Sequence, residues 1–285
     1  MILLQSIVNG VLLGLVYALI AAGLSLIFGL MEIVNFAHGQ HMMLAMYGAY
    51  WLAVLYRVDP LFSLPLWAFA LFLLGVATYW LVIARVLQAP MLAQIFSTFG
   101  LGVFLQSLAQ FLWSPDFRLV PNPVVKGRVE VFGLFLGIPE LVASLGAVIA
   151  FALLYLFVTR TETGRALQAT SEDREAAALM GIDSHRMFAL GWGIGLACVG
   201  VAGVLLSNFY YIFPEVGFPF ALIAYVAVAL GGFGSIPGAF VAGIIIGLVE
   251  VLSGLLIGPA YKYLFVFLVY LIVVIARPQG LFGRY

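Results

Sequence analysis

The chain runs for long distances without a charge. Residues 4–30, 61–84, 91–113 and 187–213 contain no Asp, Glu, Lys or Arg. Residues 134–158 carry only Glu140, and 239–257 only Glu250. Crossing the hydrocarbon core of a bilayer takes roughly 17–25 apolar residues in a helix, so stretches of this kind are long enough. Strands of an outer-membrane barrel need only about 9–11 residues each, with alternating polarity, which is not the pattern here. Three shorter apolar stretches, 41–56, 218–230 and 263–276, bring the expected total to about eight or nine segments. The predicted fold is an all-α polytopic membrane protein with some helices interrupted, in a single transmembrane domain over 1–285.

Composition removes other classes. Hydrophobic residues make up 65% of the chain and charged residues 8%, against roughly 45–50% and about 25% in a soluble domain. So few charges cannot cover a soluble surface. Twelve Lys+Arg balance 12 Asp+Glu, leaving no basic excess for nucleic acid. The one cysteine, Cys198, excludes a disulfide framework and a cysteine metal site, and its apolar neighbours make it a packing residue. No Lys or Arg precedes Arg57, so the first apolar stretch lacks the basic region of a cleavable signal and is expected to be a retained helix.

Two polar segments are substantial. Residues 114–133 are proline-containing and read as short-stranded or irregular. Residues 159–186 hold four arginines and five acids, and the tail 277–285 has two arginines and no acid. The positive-inside rule puts 159–186 and the C-terminus in the cytoplasm and 114–133 outside. Arg118, Lys126 and Arg128 argue the other way, so charge counting favours this orientation only narrowly. The side of the N-terminus stays open.

Two patches interrupt the apolar pattern, MEIVNFAHGQH at 31–41 and GGFGSIPG at 231–238. Glycines and Pro237 break regular helix in the second. Non-helical backbone survives at membrane depth only when buried in protein or lining a wet cavity, and transporters use such breaks near the midplane. The bland alternative is a pair of turns at the membrane surface. Asn35 is placed to cap the helix beginning near His38 or Gln40. His38 and His41 are expected to hydrogen-bond backbone around Gly39, since no third ligand accompanies them for a metal. A shift of 199 residues superimposes Gly39 on Gly238 and Gly48 on Gly247, a weak sign of two related halves.

No Walker A loop, H-E-x-x-H, G-x-S-x-G or paired-cysteine site is present. The chain has no visible device for using ATP and no cofactor site. Glu250 sits among apolar residues, where a lone charge costs at least about 2.5 kcal/mol. It is either a pathway residue or a paired or protonated carboxyl fixing helix packing. Gly243 and Gly247 share its helix face, which lets another helix approach closely. Residues 165–181 read as one short surface helix ending at Gly181. It is either a plain solvated helix or a docking surface for a soluble partner.

The string EAAALMG at 175–181 resembles the EAA-x-x-x-G cytoplasmic motif of ABC-importer permeases. Residues 20–50, 161–183, 229–250 and 277–283 resemble the Liv-type permeases, inner-membrane subunits of branched-chain amino-acid ABC importers. Ribose-type sugar permeases share a weaker version of the glycine-rich C-terminal segment but lack the NFAHG patch at 35–39. The resemblance implies an importer with a periplasmic binding protein, a sister permease and two ATPase subunits that bind the ATP. It also implies a bacterial inner-membrane location with 159–186 cytoplasmic. Arg165, Glu175, Ala176, Ala177 and Gly181 would then belong to the ATPase-coupling helix. Asn35, Phe36, His38, Gly39, Gly234, Ser235, Pro237, Gly238 and Glu250 are the expected path and helix-break residues. Relatives of this kind handle branched-chain or other hydrophobic amino acids, urea, amides or aromatic acids, and the 24 phenylalanines do not choose among them. The competing reading is a self-sufficient carrier or channel using Glu32, His38 or Glu250 as ion sites.

Overall fold

The computed structural model describes residues 1–283; Arg284, one of the two tail arginines, lies outside the described residues. Each apolar stretch contains a helix. The first half holds α1 (Ile2–Met31), α2 (His38–Tyr56) and α3 (Pro60–Thr78). A π-helical turn, Tyr79–Ile83, joins α3 to the short α4 (Ala84–Val86), and α5 (Met91–Trp113) follows. An antiparallel hairpin comes next, β1 (Arg128–Val131) and β2 (Leu134–Gly137), with Arg128 opposite Gly137. Then come α6 (Ile138–Arg160), α7 (Glu162–Glu172), α8 (Arg174–Leu179) and α9 (Ser184–Leu206). Finally α10 (Gly217–Gly231), α11 (Ile236–Leu256) and α12 (Lys262–Ala276) complete the chain. Seven helical spans among the described residues are long and apolar enough to cross a membrane. The shorter α10 and the polar-tipped α2 stand outside that set.

Two local expectations are corrected. Residues 134–137 are a strand, so α6 starts only at Ile138, with Pro139 in its first turn, where a missing N–H costs nothing. The single helix expected over 165–181 is two helices. Asp173 adopts extended backbone, and its carboxylate accepts the N–H groups of Glu175 and Ala176 at 2.9 Å each. An aspartate serves better as an N-cap than inside a helix.

The core is built around α1 and α9. Most of α9 is buried, whereas of α12 only Val266 is, so α12 lies at the periphery. Small residues seat α1 on α11: a Cβ on Gly243 would meet the backbone of Ala18, and one on Gly247 that of Gly14. Packing of this kind replaces the hydrophobic drive that lipid does not supply. Apolar side chains on α3, α5, α6 and α12 face outward, as Phe62, Phe104, Leu153 and Ile275 do. Gln5 fastens the start of α1 to the hairpin, donating to the Phe135 carbonyl at 2.6 Å and accepting its N–H at 2.8 Å. The far end of α1 lies beside α7 around a cavity of about 780 Å³. The molecule thus has a hairpin end, which holds the N-terminus, and a loop end, which holds 161–183 and the tail.

Candidate functional site

The depth of the first break follows from one hydrogen bond. His38 Nε2 lies 3.0 Å from the carbonyl oxygen of Ile20. From Ile20 to Met31 is about 16 Å along the axis of α1. The connection 32–37 therefore climbs back from the loop end to the middle of the bundle before α2 begins. Ile33, Asn35 and Ala37 within it are buried, which meets the condition for non-helical backbone at this depth.

α10 starts at the same level. Gly39 in the first turn of α2 rests on Gly217 at the start of α10, and a Cβ on either would collide with the other's carbonyl group. From this contact α2 rises to the hairpin end while α10, about 22 Å long, descends to the loop end. Neither crosses the bundle alone. Side chains reinforce the junction. The Tyr225 hydroxyl donates to the Asn35 carbonyl at 3.0 Å. The Phe36 and Tyr225 rings are 5.4 Å apart, and Tyr17 and Phe220 meet edge-on at 5.8 Å.

The segment entering α10 is also irregular at depth. Ser207, Ile212 and Val216 are buried outside any helix, and Ile212 exchanges two 2.9 Å backbone hydrogen bonds with Arg118. The sequence reading ran 187–213 as one apolar stretch and missed this break. Asn208, Pro214 and Gly217 were its only signals.

Asn35 does not cap α2 as expected. Its side-chain oxygen accepts the N–H of Ala37 at 3.1 Å, while Ala37 holds the N-cap position without a side-chain bond. Asn35 stands too early to cap and closes a turn on itself instead. His41 Nδ1 bonds the Ala37 carbonyl at 2.7 Å, at the break, whereas His38 reaches across to α1. Asn35 Nδ2, His38 Nδ1, Gln40 Oε1 and His41 Nε2 are buried without a partner among the described residues. Native interiors hold few such atoms, and here they gather at one junction. No three His, Cys, Asp or Glu among the described residues are grouped to hold a metal.

The second patch lies elsewhere. Gly234 faces Gly29 near the end of α1, and Gly238 rests on Gly231. Ser235 Oγ accepts the Gly238 N–H at 3.1 Å and caps α11, with Pro237 in the first turn. The tail closes over it through Leu281 N to Leu230 O, 2.8 Å, and Phe282 N to Gly231 O, 3.0 Å. These residues form a turn at the loop end. They are not brought together with Asn35, Phe36, His38 and Gly39.

Glu250 is 3% exposed and paired. The Tyr17 hydroxyl donates to it at 2.8 Å and Lys262 Nζ at 2.6 Å. The pair ties α11 to α1 and α12.

On the 159–186 loop, Arg165, Glu175 and Ala176 are exposed and Ala177 is buried. Gly181, at φ 84° and in open space, ends α8. Leu179 and Met180 beside it are 89% and 83% exposed. On the same loop, His185 Nδ1 lies 2.6 Å from the Tyr79 hydroxyl.

Residues 6–274 match the family model for the permease component of branched-chain amino acid transport systems. The high-affinity branched-chain amino acid transport system permease protein BraD of Pseudomonas aeruginosa is 33% identical over 99% of this chain and 96% of its own length. The corresponding LivH protein of Escherichia coli K12 is 32% identical over the same shares. A probable LivH of Methanocaldococcus jannaschii is 29% identical over 85% of this chain and 78% of its own. No solved structure matches significantly. The matched family consists of transporter components, not enzymes. Its relatives are permease proteins of branched-chain amino acid transport systems, and the helices are those of a multi-pass membrane protein. With residues 6–274 of its 285 matched, the chain belongs to the branched-chain amino acid transport system permease family.

Proposed function

We propose that this chain is a permease subunit of an ATP-driven importer for branched-chain or other hydrophobic amino acids, with α2 and α10 meeting at its constriction. The observation that carries the reading is the meeting of two incomplete helices at mid-depth, beneath buried non-helical backbone. Such a junction opens by separating two helix ends and leaves the long helices intact. The substrate class comes from the names of the relatives.

In this reading the loop 159–186 and the tail are cytoplasmic and the hairpin is periplasmic. A sister permease completes the path, a periplasmic binding protein delivers substrate, and two ATPase subunits bind the ATP. Arg165, Glu175, Ala176, Ala177 and Gly181 belong to the ATPase-docking loop, with Leu179 and Met180 as its apolar contacts. The test is leucine uptake into proteoliposomes holding this chain with its co-purified partners. Uptake that needs both ATP and binding protein is expected. Gradient-driven uptake by this chain alone would replace the proposal with a self-sufficient carrier.

A further inference from the structure

Under the β-hairpin lies a second cavity, of about 550 Å³. Pockets that bind small molecules run from about 300 to 1,000 Å³. Its apolar wall comes from Leu13 and Val16 of α1, Val251 of α11, and Phe209 between α9 and α10. Its polar groups are Asn9, Arg128 and Glu140.

Arg128 and Glu140 line the same space, yet neither joins an ion pair among the described residues. Arg128 opens β1 opposite Gly137, and Glu140 stands in the first turn of α6 just beyond. The hairpin therefore fixes both on one rim. The Asn9 side-chain oxygen is taken by Gln5 Nε2 at 3.1 Å, which leaves the Asn9 NH₂ as a donor. A guanidinium, an amide donor, a carboxylate and an aliphatic wall line one cavity. Arg is suited to carboxylates through its forked donors. Glu suits an ammonium group, which has donors only.

We infer that this cavity binds an aliphatic amino acid as its zwitterion, with the carboxylate toward Arg128 and Asn9 and the ammonium toward Glu140. The inference rests on the import function proposed above for the choice of an amino acid. A phosphatidylethanolamine headgroup shares the same chemistry, an anionic group beside an ammonium. The site gives the permease a place to receive substrate on the hairpin side before the junction of α2 and α10.

The test is equilibrium dialysis of radiolabelled leucine against the purified permease–ATPase complex without binding protein. Saturable binding is expected in the wild type. R128Q and E140Q should each weaken it at least about tenfold, the loss of one hydrogen bond to a charged group. V251W, which fills the apolar wall, should weaken it with both charges intact. Melting temperatures establish that each variant is folded. No saturable binding by a complex that imports leucine with ATP and binding protein would overturn the site alone. A complex that fails to import under those conditions would instead overturn the import reading. Binding unchanged in all three variants would also overturn the site. So would phosphatidylethanolamine that co-purifies with the wild type, is lost in R128Q, and blocks leucine binding, since it would assign the cavity to lipid.

Discussion

Replacing Lys262 with methionine would strip Glu250 of its cation while keeping most of the apolar stem. The carboxylate is almost fully buried and accepts hydrogen bonds from Tyr17 and Lys262. Removing one partner of a buried pair typically costs about 3–5 kcal/mol, because the remaining charge sits uncompensated in low dielectric. The Lys262 side chain is 33% exposed, so water already screens part of the attraction and the lower end applies, about 3 kcal/mol. At about 2–4 °C per kcal/mol for chains approaching this size, K262M should melt about 6–12 °C below wild type. The double variant E250Q/K262M removes both charges and should recover most of the loss. Thermal melts of the detergent-solubilised complex, read by intrinsic fluorescence, measure both. A K262M melt within about 1 °C of wild type would mean that the pair contributes nothing. A double variant as unstable as K262M would assign the loss to packing. Uptake abolished in E250Q at an unchanged melting temperature would place the carboxylate in transport itself, as the carrier alternative requires.

Two further outcomes are expected. G39A places a Cβ against the Gly217 carbonyl; overpacking of this kind costs about 1–3 kcal/mol, and ATP-driven uptake should fall while the complex still co-purifies, with full uptake refuting the junction's role. L179D adds a charge to a side chain with few contacts inside this chain, so it should leave the melting temperature unchanged and abolish ATPase co-purification, and normal recovery of the ATPase would count against docking there.

Much of the architecture was legible because charge-free runs allow little else. The boundaries were less so. The start of α2 reads near His38 or Gln40 and falls at His38, but nothing in the polar His38, Gln40 and His41 announces that all three are buried. The entry to α10 was hidden by Phe209, Tyr210 and Phe213, apolar enough to pass as the end of α9. Hydropathy reports how a segment partitions, not whether its backbone is helical. GGFGSIPG showed the opposite failure. Its glycines announce a break, but only the partners of Gly234 and the tail give its depth, at the loop end. Glu250 could be seen as buried, but nothing in the sequence shows that Lys262, 12 residues on, is its partner. Its role depends on the short turn after Gly258 bringing it back toward α11.

The two ends of α10 connect the parts of the proposed mechanism. Its start rests on Gly39, and its end runs into the turn 233–237, which shares a cavity with Leu167, Gln168 and Glu172 of α7. A helix is stiff along its axis, so displacement of that turn by the docking loop must also move the start of α10. The cavity leaves room for such displacement. The hypothesis is that ATPase movement at the loop end opens the junction by shifting α10 as a rigid rod. Cysteines at Phe36 and Tyr225, whose rings now lie 5.4 Å apart, provide the test, since Cys198 is buried and adds little background. A short bifunctional thiol reagent should cross-link F36C to Y225C efficiently in the nucleotide-free complex. Yield should fall when a non-hydrolysable ATP analogue closes the ATPases. Equal yields in both states, from a complex that transports before cross-linking, would mean that α10 stays fixed on α2 and the path opens elsewhere.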